Sequence, residues 1–229
     1  MATSLDLQEQ EQIDALKAFW KQYGNLITWV LILALGAFAA WNGWNWWQRD
    51  QGVKAGAMFE ELDRALAAGD ADKAGRVFND LKERFPGTAF AQQGGLGAAK
   101  LQFDKGQADA AKATLTWVAA NGPDDDLRSL ARLRLAGVLA QAKQYDEALK
   151  QLDEIKSASL EALVADRRGD VLLAQDKKDA ARAAYQAAWA AMDGKLDYKR
   201  LVEAKLVSLA AAPAAPAAAA SAAASGAGR

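Results

Sequence analysis

Asp166 and Asp170 stand one helical turn apart in the run Val164–Leu173, VADRRGDVLL, with Arg167 and Arg168 between them. Two carboxylates at that spacing share a helix face and could pass a proton between them. Guanidinium groups in the same turn point instead to surface ion pairing, the ordinary fate of such a cluster. A second acidic run, Asp124-Asp125-Asp126, could hold a cation. It follows Gly122-Pro123, however, and Gly-Pro followed by acid marks a turn and the start of a helix. Gly94-Gly95-Leu96-Gly97 follows no strand, so it lacks the context of a phosphate loop and reads as close helix packing. The chain holds no His and no Cys. That removes the commonest general base, the commonest metal ligand, thiolate zinc sites and disulfides. No catalytic residue, cofactor or metal ligand is predicted.

The elements that carry these residues fall into two kinds. From Gln22 to Gln48 there are 27 residues without a charge, centred on Leu26–Trp41, LITWVLILALGAFAAW. A bilayer core needs ~20 apolar residues at about 1.5 Å each. Residues 25–47 are therefore read as a transmembrane helix, with 1–24 as a cytoplasmic segment. Its inserting side chains are Leu26, Ile27, Trp29, Val30, Leu31, Ile32, Leu33, Leu35, Phe38 and Trp41. Eight strong inserters contribute on the order of −4 kcal/mol. Trp41, Trp44, Trp46 and Trp47 form an interfacial belt, where the ring is half buried and the N–H stays wet. Gly36 and Ala40 are a small-residue pair of the kind that lets membrane helices approach. The rival reading is a cleaved signal peptide, since Ala37-Phe38-Ala39 resembles a cleavage site. The long preceding segment with Asp6, Glu9, Glu11 and Asp14 does not fit a signal peptide's short basic start. Lys17 and Lys21 flank one side and Arg49 and Lys54 the other, so only the starting amine tips the charge count slightly toward a cytoplasmic N-terminus.

Residues 54–209 have the period of helices and repeat themselves. Ala74, Ala111, Ala148 and Ala181 recur at spacings of 37, 37 and 33 residues. Four residues after each comes a large packer: Phe78, Leu115, Leu152 and Tyr185. Three further on stand Leu81, Val118, Ile155 and Ala188. Five before each Ala is a turn position: Gly69, Gly106, Lys143 and Asp176. Pro86 and Pro123 close the first two units, where Leu160 and Asp193 stand in the others. Twelve before the key Ala a small residue recurs at Ala99, Ala136 and Gly169, but Leu62 breaks the rule in the first unit and Gln102 disturbs the second. Asp70, Asp109, Asp146 and Asp179 suit first turns of helices. Tyr198–Leu209 reads as a final capping helix through Leu201, Lys205 and Leu209. Residues 210–229, rich in Ala with Pro213 and Pro216, are expected to be disordered. The fold class is all-α: one N-terminal transmembrane helix, then a tetratricopeptide-like solenoid of about four hairpins.

Anchor and repeats together resemble the YfgM family over residues 8–209. The carriers are Gln12-Ile13-Asp14-Ala15-Leu16-Lys17-Ala18-Phe19 and the stretch from Leu152 to Tyr185, LDEIKSASLEALVADRRGDVLLAQDKKDAARAAY. The resemblance implies a single-pass bacterial inner-membrane protein with a cytoplasmic N-terminus and a periplasmic repeat domain. It also implies association with the SecYEG translocon and partnership with a PpiD-like membrane-anchored chaperone. Mapping repeat positions onto this chain puts Leu96, Phe103, Leu130, Leu133, Leu163 and Leu173 on a concave protein-binding face, with Lys100, Asp104, Gln141, Asp166 and Asp170 among them. Such a face suits translocating polypeptides or a partner helix; the same leucines could equally be spent on packing neighbouring helices. The expected function is a non-enzymatic, membrane-tethered interaction module assisting chaperone handling of translocated proteins. The alternative is a cleaved, soluble periplasmic adaptor in envelope assembly. Lys and Arg number 28 against 29 Asp and Glu, a balance that gives no reason to expect nucleic-acid binding.

Overall fold

A computed structural model describes residues 7–192 and 197–209. The expectations for the tail 210–229 and for Asp193 lie outside the described residues. The chain divides into two compact units, Met1–Val53 and Lys54–Arg229. Among the described residues every regular element is a helix.

In the first unit the backbone from Leu7 onward belongs to α1, Leu7–Ala67. Leu26, Trp29, Val30, Leu31, Ile32, Leu33, Leu35, Phe38 and Trp41 are all exposed, and Ile27 is half-buried. Apolar side chains face outward on every side of this stretch, and by length and composition it can cross a membrane. Two of its polar side chains bond within the helix. The Thr28 hydroxyl donates to the Gly24 carbonyl at 2.7 Å, and the Asn42 amide donates to the Phe38 carbonyl at 3.2 Å. Such back-bonding lowers the cost of placing them in lipid. Trp44 and Trp47 lie with ring centroids 5.3 Å apart at the end of the stretch.

The second unit is a run of helical hairpins. The last part of α1 pairs with α2 (Ala71–Arg84), α3 (Ala89–Asp104) with α4 (Ala108–Ala120), α5 (Asp125–Gln141) with α6 (Tyr145–Asp153), and α7 (Glu161–Ala174) with α8 (Lys178–Ala191); α9 (Asp197–Ser208) follows. A 3-10 turn, Ala158–Leu160, stands where Pro closes the earlier units. All four key alanines, Ala74, Ala111, Ala148 and Ala181, are 0% exposed, and Phe78, Leu115, Leu152 and Tyr185 are buried beside them. The small residue brings two helices together and the large one fills the seam.

Each hairpin turns in the same way. Gly69, Gly106, Lys143 and Asp176 take φ values of 68°, 79°, 60° and 60°. The amide after each reaches back five residues: Asp70 to Ala65, Gln107 to Gln102, Gln144 to Leu139 and Lys177 to Leu172, at 2.8 to 3.1 Å. This left-handed cap satisfies carbonyls that the ending helix leaves free. At the starts, Asp70 accepts from the Lys73 amide, and Asp124 accepts from the amides of Asp126 and Leu127. The acidic run Asp124–Asp126 is thus a helix cap, with Asp125 paired to Arg128.

Two departures from the repeat pattern find their reasons in packing. Leu62 is fully buried, and its seat is opposite Gly94, where an added Cβ would lie 2.6 Å from Leu62 Cδ2. Here the bulk sits near the end of α1 and the recess that takes it on α3. Gln102 is buried, but its Oε1 accepts from the Thr114 hydroxyl at 2.9 Å, which removes the cost of its burial. Among the helical glycines, Gly95 and Gly169 mark the closest approaches. A Cβ would meet Val118 Cγ2 at 2.4 Å at the first and Tyr185 Cε1 at 2.4 Å at the second.

Candidate protein-interaction site

Of the eleven residues expected on the concave face, the structure brings three to one open pocket: Lys100 and Phe103 on α3, and Gln141 on α5. The pocket, of about 320 Å³, lies where α3, α5 and α7 run side by side. Its floor is Ala99, Leu115, Gly137 and Val138; Arg134 of α5 and Arg167 of α7 complete the lining. The sequence reading missed both arginines. They stand one residue beyond two residues it chose, Leu133 and Asp166, and one residue is a rotation of about 100° on a helix. The stripe Arg134, Gly137, Val138 and Gln141 has the i, i+3, i+4, i+7 spacing that a correct phase for α5 would have returned.

The other expected face residues are used elsewhere. Leu96 and Leu133 are only 6% and 9% exposed and belong to the main core. Leu130 and Leu163 are half-buried against that same core, and Leu173 packs on a second cluster formed by α8 and α9. Packing therefore claims these leucines. Asp104 is exposed, with Lys100 Nζ 2.6 Å from its Oδ2.

Asp166 and Asp170 are neither an exposed pair nor a surface ion-pair cluster. Asp166 is 2% exposed. Its two oxygens accept from Lys205 Nζ at 2.8 and 2.9 Å and from the Tyr198 hydroxyl at 2.6 Å. Asp170 Oδ1 accepts from Lys205 at 2.7 Å and from the Tyr185 hydroxyl at 2.8 Å. Arg167 reaches Asp170 only at 3.9 Å, and Arg168 is bonded to Asp153 instead. Lys205 and Tyr198 lie on α9, so the acidic pair is the seat of the final helix. Burial, then the hydrogen bond to Asp166 and that carboxylate's charge, holds the Tyr198 phenol well above its ordinary range. Burial and Asp170 do the same to Tyr185. The capping face of α9 also differs from the expected one. Val202 and Leu206 are fully buried, with Leu209 half-buried, while Leu201 is exposed. With every carboxylate oxygen turned toward a donor or an ion pair, neither aspartate is placed to move a proton on a substrate.

Gln92 also went unread as a structural residue. It is fully buried on α3. Its amide donates to the carbonyls of Asn121 and Asp124, and its Oε1 accepts from the Asp124 amide, each at 3.0 Å. One side chain thus satisfies three backbone groups of the loop between the second and third hairpins.

A model of the tetratricopeptide repeat-like domain family matches residues 17–211. An ancillary SecYEG translocon subunit of Neisseria gonorrhoeae is 31% identical over 204 residues, covering 89% of this chain and 98% of that protein. One from Escherichia coli is 35% identical over 182 residues, covering 78% and 86%. One from Haemophilus influenzae is 30% identical over 182 residues, covering 80% and 89%.

Proposed function

We propose, from the premise that this chain belongs to the tetratricopeptide repeat-like family of ancillary SecYEG translocon subunits, that it is a non-enzymatic, membrane-tethered interaction module working at the Sec translocon. The observation that carries this reading is the pairing of family membership with an open, partly apolar pocket between first helices of successive hairpins. On this reading α1 anchors the chain in the bacterial inner membrane as a single pass. The N-terminus is cytoplasmic and the repeats are periplasmic. Anchoring raises the effective concentration of the repeats beside the channel without any new contact. The groove then takes segments of translocating polypeptides, or of a PpiD-like membrane-anchored chaperone that receives them. Balanced hydrogen bonding at Asp166 and Asp170 supports a module without catalysis; reproducible turnover abolished by Asp170→Ala would overturn that part.

A photocrosslinking residue at Gln141, exposed at the pocket rim, tests the proposal in intact membranes. Adducts with translocon subunits, a membrane-anchored chaperone or emerging chains are expected. A full-length protein that stays in the membrane through alkaline carbonate but yields no adduct from Gln141 would sink it. A mature N-terminus at Ala40 would favour the soluble adaptor instead.

A further inference from the structure

The lining of the pocket contains Lys100, Arg134 and Arg167 and no carboxylate. In a chain whose acids and bases nearly cancel, such a local excess is a feature of the site and not of the composition. Lys100 is already neutralised by Asp104 at 2.6 Å. The arginines are not. Arg134 donates to the Leu96 carbonyl at 3.2 Å, and among the described residues no carboxylate stands within ion-pair distance of it. Arg167 has only a long contact of 3.9 Å to Asp170 Oδ2, while the other oxygen of that carboxylate is held by Lys205 and Tyr185. Its Nη1 rests 3.5 Å from the place a Cβ of residue 137 would occupy, which puts the guanidinium against α5. Arg134 is one turn from Gly137 on the same helix face. Both guanidinium side chains therefore line the pocket, and Phe103 and Val138 provide an apolar wall.

The geometry points to a ligand with the opposite arrangement: a segment of a partner protein that presents an Asp or Glu beside an aromatic or aliphatic side chain. The carboxylate takes the fork-shaped donors of Arg134 and Arg167. Its neighbour sits on Phe103 and Val138. The apolar wall favours such a peptide over a phosphate chain, which has nothing to place there. The chain's own residues 210–229 contain neither an acidic side chain nor an aromatic or large aliphatic one, so they do not present the pair of side chains the pocket takes. This inference deepens the proposed function and rests on the pocket being a protein-binding groove.

The test uses the full chain in lipid nanodiscs and short fluorescein-labelled peptides that carry one Glu-Phe pair in a Gly/Ser background, with Gln-Phe and Lys-Phe counterparts. Fluorescence anisotropy should show the Glu peptide binding about tenfold or more tightly than the Gln peptide. The preference should shrink as salt rises from about 0.05 to about 0.5 M. Arg134→Gln with Arg167→Gln should abolish the preference. Arg134→Glu with Arg167→Glu should invert it toward the Lys peptide, an outcome no unfolded variant can give. Equal binding of Glu and Gln peptides, lost in Phe103→Ser, overturns the acidic specificity and leaves the groove standing. Absence of binding by every peptide at millimolar concentration overturns both.

Discussion

Lys143 and Asp176 occupy, with positive φ, the turn position that Gly69 and Gly106 hold in the other hairpins. A side chain there carries a backbone cost that glycine avoids. Lys143→Gly and Asp176→Gly should each stabilise the protein by about 0.5–1 kcal/mol, after the extra freedom glycine gives the unfolded chain is counted. Denaturant midpoints of the single variants check this. At the acidic pair the sign is opposite. Lys205→Met leaves Asp166 buried with one donor, Tyr198, and should cost about 3 kcal/mol. Asp166→Leu in the same chain should recover most of it, because an apolar pair replaces a stranded charge. The phenols add a pH dependence. Tyr185 and Tyr198 are raised in the folded state above an unfolded value of about 10. Their contribution is therefore complete below about pH 10 and is lost as pH climbs toward the folded values. Urea midpoints should fall as pH is raised above about 10. Tyr198→Phe should flatten part of that fall.

Helices show which features of the fold were legible and which were not. The four key alanines and their packers could be read directly, because a small and a large residue four apart on one helix is a local pattern that packing confirms. The turn positions were legible for the same reason, even where Lys and Asp replace Gly. The pocket was legible on α3, where Lys100 and Phe103 were chosen, only in part on α5, where Gln141 was, and not on α7. Which of two adjacent helical stripes faces the groove depends on the neighbours, and one residue of phase exchanges Leu133 for Arg134 and Asp166 for Arg167. The final helix shows the same error, with Val202 and Leu206 inside where Leu201 was expected. Lys205 tied to residues 35 and 39 positions earlier is a tertiary contact that no local pattern announces. Removal of residues 197–209 should expose Tyr185 and the apolar face of α8. Hydrogen exchange should then show α7 and α8 losing protection while α3 and α4 keep theirs.

At the scale of the molecule, two units with different solvents share one chain. The first has its large apolar side chains outside, and the second has them inside. Truncation should separate these behaviours. A chain begun at Lys54 should be soluble in buffer and retain its helical signal, whereas the whole chain should need lipid or detergent; sedimentation and circular dichroism read both outcomes. The truncated chain should also lose crosslinks to translocon components at cellular concentrations if tethering supplies most of its access to them.

The exchange of sizes between Leu62 and Gly94 has a consequence for how this repeat array can be altered. In the later hairpins the corresponding position is small, Ala99, Ala136 and Gly169, and Tyr185 lies across from Gly169. At the first junction that position carries Leu62, and the recess that takes it is Gly94 on α3, so that seam is keyed. A hairpin transplanted from the middle of the array would bring Ala to a void at position 62, or a side chain into the space Leu62 fills. Only a donor that carries both halves of the key should seat there, and Leu62→Ala with Gly94→Leu is the smallest such exchange.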